Sequence, residues 1–234
     1  MGHPTMNTRT GPQTSPPTPI VRRATEDDVD QLGLVIAAAF TGLTQNDWLV
    51  TDTVAQHHLF PKYFGLQVDL GVTAGIVHTT VERDAVAVWF PVLDGALPTL
   101  PDYDDRLAEI AGNWTGRFHA FENALAAHHP VGIPHHFLAF LAVDPPRQRA
   151  GVGTTLLRHH LPFLDQQGLP AYLDAATEDL YGFYGKHDWQ PRRSPYPVAD
   201  DGPFMHPMWR PAVRRPPSDA GGITLPRLPD PSTT

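Results

Sequence analysis

Cysteine is absent from the 234 residues. Disulfides, thiolate metal sites and a thiol nucleophile are therefore excluded for this chain. Lysine is nearly absent too: Lys62 and Lys186 are the only two among 17 basic residues, the rest being arginine. With plentiful alanine, proline and glycine, that resembles a GC-rich coding bias, and no chemistry is read into it. No apolar run reaches the length a membrane-spanning helix needs. The polar, proline-rich start lacks the apolar segment of a secretory signal, so a soluble cytoplasmic protein is expected. A formal net charge of −8 argues against a general nucleic-acid binder, which usually carries a basic face.

What is present fits one globular domain: 41% of residues are hydrophobic and 18% charged. Prolines crowd the ends, five in the first 19 residues and six in residues 211–234. Neither end can bury enough apolar surface to offset its ordering entropy. The expectation is a folded domain over residues 20–210 with disordered proline-rich tails at 1–19 and 211–234.

Within that domain, residues 20–24 read as a short strand. Thr25 offers an N-cap, with Asp27 and Asp28 in the first helical turn. Val29, Leu32, Ile36 and Phe40 recur at three- and four-residue steps, which predicts a helix to about Phe40. A second helix is expected over residues 54–67, broken or kinked at Pro61. Residues 75–81 and 85–90 read as strands, the latter alternating small and large side chains, and residues 104–111 and 114–128 as helices. The apolar run 137–143 reads as a central strand buried on both faces. Residues 151–167 follow as an amphipathic helix that Gly168 can close in a left-handed conformation. Strand 171–175, helix 178–187 and strand 205–210 complete a mixed α/β sheet with flanking helices and a parallel crossover in its second half.

The stretch Leu141-Ala142-Val143-Asp144-Pro145-Pro146-Arg147-Gln148-Arg149-Ala150-Gly151-Val152-Gly153 carries the chemistry. A strand ends, a loop with two spaced glycines follows, and a long helix starts. Backbone N–H groups at such a helix start form a cradle for phosphate oxygens. Gln-x-x-Gly-x-Gly behind a Val-Asp-Pro strand end resembles the acetyl-CoA motif of the GCN5-related N-acetyltransferase (GNAT) family. The likeness continues in Gly168–Asp174 and in Leu180-Tyr181-Gly182-Phe183-Tyr184-Gly185-Lys186-His187-Asp188-Trp189. Upstream it takes in Val21–Asp28 and Ala85–Trp89, and Met208-Trp209-Arg210 matches a last strand. This set, over about residues 20–210, looks most like the branch containing puromycin N-acetyltransferase.

The resemblance implies an acyl-CoA acyltransferase fold in which two central parallel strands splay apart. It implies acetyl-CoA as acyl donor, no metal, and a small-molecule amine as acceptor. The pyrophosphate would lie on Gln148, Arg149, Ala150, Gly151, Val152, Gly153 and Thr154. The pantetheine amides would pair with the strand end at Leu141, Ala142 and Val143. Tyr184 matches the tyrosine that protonates the departing thiolate. Asp188 stands where the family usually has Gly, and Thr177 where many members carry Asn seven residues before the tyrosine.

The attacking amine needs a base or a water chain, for which Glu82, His119, Glu122 and Asp174 are candidates. The adjacent histidine pairs at 57–58, 128–129, 135–136 and 159–160 diverge on a helix or strand, so they read as packing or surface residues rather than metal ligands. Antibiotic resistance or biosynthesis fits the branch. The alternatives are another acyl-CoA, an aminoacyl-tRNA donor, for which only the arginine doublets speak, and a non-catalytic CoA-binding module.

Overall fold

The computed structural model describes residues 18–93 and 95–213. The two expected tails lie outside the described residues, except for residues 18, 19 and 211–213, which form no helix or strand.

The chain enters through strand β1 (Val21–Arg23) and a reciprocal cap. The Thr25 N–H donates to Asp28 Oδ2 at 2.9 Å, and Arg22 grips the same carboxylate with two bonds of 2.7 and 2.8 Å. The Arg22 guanidinium holds the buried Asp28 carboxyl well below the usual carboxylate range. Helices α1 (Val29–Ala39), α2 (Thr44–Leu49) and α3 (Thr53–Ala74) follow. The expected break at Pro61 is not there: α3 runs through it and continues past residue 67. Proline removes the donor to the carbonyl of His57, four residues back, and His57 is exposed, so water can replace it. The six-residue α2 is too short for a periodicity to reveal and escaped the sequence reading.

Strands β2 (Ile76–Thr80) and β3 (Ala85–Val92) form a hairpin, and α4 (Tyr103–Ala111) and α5 (Thr115–His128) cover one face of the sheet. Then come β4 (His135–Val143), α6 (Val152–Gln167), β5 (Ala171–Ala175) and α7 (Tyr181–Gly185). The two-residue strands β6 (Gln190–Pro191) and β7 (Tyr196–Pro197), which the sequence reading missed, precede β8 (Phe204–Arg210). Gly168 closes α6 at φ 64°, as expected.

The sheet order is β1-β2-β3-β4-β5-β8-β6, with β7 paired to β8 off that path. All pairings are antiparallel except β4–β5. The alternation in β3 sorts two cores. Val86, Val88 and Phe90 face α1, α3, α4 and α5, whereas Ala85, Ala87 and Trp89 face α6 and α7. Two layers of helices therefore sandwich the sheet, and α6 is the crossover that makes β5 parallel to β4. No helix among the described residues is long and apolar enough to cross a membrane.

Candidate active site

Strands β4 and β5 pair only at His136↔Ala171 and Phe137↔Tyr172 and then diverge. A bulge marks the place. Val88 and Trp89 of β3 are consecutive but face Phe140 and Leu138, which leaves Ala139 as the extra residue of β4. Beyond it, β4 offers backbone groups on the β5 side that no strand satisfies. This corrects the expectation of a strand buried on both faces: Phe137, Ala139, Phe140, Leu141 and Val143 are only half-buried, because they line a cavity.

That cavity has a volume of about 1040 Å³. Leu141, Ala142, Val143, Gln148, Arg149, Gly151, Val152, Gly153, Thr154 and Tyr184 all line it, so residues chosen from the sequence converge on one space. Ala150 does not line it and is exposed. Its side chain has no part in the lining.

The loop owes its shape to two left-handed residues, Arg149 (φ 61°) and Gly151 (φ 84°). Such an arrangement turns successive N–H groups toward one point. The first intrahelical bond of α6 runs from Thr155 N–H to Gly151 C=O at 3.0 Å, which leaves the amides of Val152, Gly153 and Thr154 ahead of it. A Cβ at Gly151 would stand in open space: apart from its two chain neighbours, no atom of the described residues comes within 4 Å. The Gln148 side chain donates to Val143 C=O at 3.0 Å and fastens the loop to the end of β4. Arg147 is held by Asp84 at 3.0 Å, whereas Arg149 is exposed. Arg147, Arg149 and Lys186 place positive charge along this part of the lining.

Tyr184, on α7, is buried with its ring against Phe183 and Trp189 at centroid distances of 5.1 and 5.9 Å. Burial pushes its phenol pKa up. Asp188 takes the positive φ (68°) expected of the family's glycine position. Buried Arg210 of β8, whose part the sequence did not reveal, donates to His187 C=O at 3.2 Å and pairs with Asp165 of α6 at 2.7 Å. It thereby ties the turn after Tyr184 to the crossover helix.

The base candidates separate. Glu82 and His119 do not line the cavity; Glu122 and Asp174 do. Burial raises the Asp174 carboxyl to about 6. Its Oδ1 accepts from Tyr172 at 2.7 Å, and its Oδ2 is buried without a hydrogen-bond partner. Glu122 Oε1 accepts from the hydroxyls of Tyr63, at 3.2 Å, and Tyr103, and burial raises this carboxyl too. Gln45 was also missed: its Nε2 donates to Ala176 C=O at 2.8 Å and Phe204 C=O at 3.2 Å, which anchors α2 beside the diverging end of β5. A lone glutamine in a short helix gives no periodic signal.

Residues 95–189 match the family model described as the acetyltransferase (GNAT) family. A Corynebacterium glutamicum protein described as histone acetyltransferase HPA2 and related acetyltransferase is 25% identical, with a TM-score of 0.62, over 85% of this chain and 98% of that one. Arylalkylamine N-acetyltransferase 2 from Aedes aegypti is 10% identical with a TM-score of 0.51, covering 83% of this chain and 99% of its own. The PaiA N-acetyltransferase from Thermoplasma acidophilum, in complex with coenzyme A, is 9% identical with a TM-score of 0.50, covering 82% and 98%. The chain has the GNAT fold. It is an acyltransferase.

Proposed function

We propose that this acyltransferase moves an acetyl group from acetyl-CoA to the primary amine of a small molecule, of the kind handled by the puromycin N-acetyltransferase-like branch. One observation carries the reading. The diverging end of β4, the left-handed turns at Arg149 and Gly151, and Tyr184 share a single cavity. The fit of a CoA arm rests on three features of that cavity: free strand backbone, open space beside Gly151, and the basic residues Arg147, Arg149 and Lys186.

When bound, acetyl-CoA supplies an acetyl group activated as a thioester. The N–H groups of residues 149–154 hold the pyrophosphate. The backbone of Leu141–Val143 pairs with the pantetheine amides, and an N–H of that strand polarises the acyl carbonyl. Tyr184 donates to the sulfur as negative charge grows there. No acetyl-thiol intermediate can form on this chain, which has no cysteine. In direct transfer the thioester C–S bond would break as the C–N bond forms, and the proton lost by the amine would pass to the thiolate or to solvent. The resemblance to the Corynebacterium glutamicum protein supports acetyl transfer, and the complex of the Thermoplasma acidophilum protein supports CoA as the carrier.

The test follows CoA release with a thiol reagent over a panel of amines. Amine-stimulated release is expected from acetyl-CoA. CoA binding without release for any amine would instead make the chain a binding module.

A further inference from the structure

A second set of residues lining the cavity comes from α3, α4 and α5, and its chemistry differs from that of the loop. Glu122 is its centre. Gln67 Nε2 donates to the Tyr103 hydroxyl at 2.5 Å, and Tyr103 donates onward to Glu122 Oε1, which also accepts from Tyr63 at 3.2 Å. Every donor in this chain points toward one carboxylate. Burial pushes both phenols up, so they stay protonated donors, and a phenol carries no positive charge to offset the carboxylate. Glu122 Oε2 has no hydrogen bond among the described residues, and Glu122 itself lines the cavity.

The cations of the lining all lie away from Glu122 in the chain, although the carboxylates Asp174 and Asp179 stand on β5 and just before α7. The basic residues there are Arg147, Arg149 and Lys186, all in the loop or just after α7, and α2–α5 contribute no lysine or arginine. The titratable groups that act on Glu122 from its surroundings are His119, which favours its charge, and Asp104, which opposes it. Glu122 is half-buried. Its two phenol hydrogen bonds offset part of its desolvation on Oε1, and no lysine or arginine from the same wall supplies an opposite charge. Around it the lining is aromatic: Tyr63 stands 5.2 Å from Phe64, and Phe64 stands 5.6 Å from Phe40 and 5.8 Å from Phe140. Such rings accept a cation at their faces and an apolar body beside it.

We infer that the acceptor is a singly charged amine on an aromatic or other bulky apolar body, and that Glu122, held by Tyr63 and Tyr103, receives its ammonium. This rests on the acetyltransferase reading above. Glu122 is the one carboxylate that α2–α5 contribute to the lining, so a second positive charge beside it has no partner on that wall, whereas Asp174 and Asp179 lie on the β5 side of the cavity. A carboxylate on the acceptor is repelled by Glu122. The residue is a specificity determinant in the ground-state complex, apart from whatever base acts in the transfer.

The test is calorimetric titration of the full chain, with CoA and without it. The probes are 2-phenylethylamine, neutral 2-phenylethanol, putrescine and a short lysine peptide. The expected order has 2-phenylethylamine binding at least about 10-fold tighter than the other three. Glu122→Gln weakens 2-phenylethylamine by about 10- to 100-fold, as loss of a charged hydrogen bond does, while CoA affinity stays at the wild-type value. Tyr103→Phe keeps the carboxylate and gives a smaller loss, which guards against a Glu122 variant that fails to fold. Wild-type affinity in both variants, or tighter binding of putrescine or the peptide, overturns the inference. Loss of CoA binding by the wild-type chain strikes the acetyltransferase reading instead, and the titrations without CoA still decide this one.

Discussion

At Tyr184, burial beside Phe183 and Trp189 keeps the phenol neutral throughout the working pH range. In the proposed reaction its part is to donate a hydrogen bond to the sulfur, with no titration of its own. Tyr184→Phe is expected to lower kcat by roughly 100-fold, at the low end of acid–base contributions, with acetyl-CoA affinity preserved. Steady-state kinetics from pH 6 to 9 check this, and an unchanged kcat throughout removes the role. Histidines give a second residue-scale prediction. His160 bridges His78 and His136 through ring nitrogens at 3.1 Å each, all three buried. Burial lowers His78 and His136 to about 4 and His160 to about 3. Below an unfolded value near 6.5 the unfolded chain takes up protons that the folded chain refuses, so stability is complete above that pH and falls as pH drops toward 4. The expected loss by pH 5 is on the order of a few kcal/mol, read from urea midpoints, with a flatter slope for His160→Gln. The shift of Asp28 acts in a different window: the stability it gives is lost only below an unfolded value near 4.

Among the elements, α1 crosses α3 with little space between backbones. A Cβ on Gly33 would lie 2.6 Å from Pro61 C=O and 2.7 Å from Gly65 N, both backbone atoms that cannot swing aside. Gly33→Ala is therefore expected to cost about 1–3 kcal/mol, and thermal unfolding that leaves the midpoint unchanged would refute the close crossing. Elements of strong local pattern were legible in advance. β4, α6 and their loop are contiguous in sequence, so strand, glycines and amphipathic helix could be read together. Where the reading failed, the determinant was not local. The bulge at Ala139 depends on register with β3, and α3 passes Pro61 because a carbonyl on its exposed side can turn to water. The cluster around Glu122 joins it to Tyr63 across 59 positions, and no spacing rule links residues so far apart. Glu122 was named among four base candidates, but its two phenols were not.

For the molecule as a whole, the sheet divides the helices into two layers, and the V between β4 and β5 opens a cavity shared by a basic loop and an acidic, aromatic wall. A donor bound across that opening to the folded state alone must stabilise the fold by mass action. At about 100 times its Kd, acetyl-CoA is expected to add about 2.7 kcal/mol, seen as a rise in Tm. The most direct measurement is calorimetric titration of acetyl-CoA into the wild-type chain and into Gly151→Val, with Tm recorded for both. A valine there must hold a left-handed backbone and projects into the space left open beside Gly151. The account predicts clear binding to the wild type and at least about a 10-fold loss, the equivalent of 1.4 kcal/mol, in the folded variant. Equal affinity in the two proteins would contradict it.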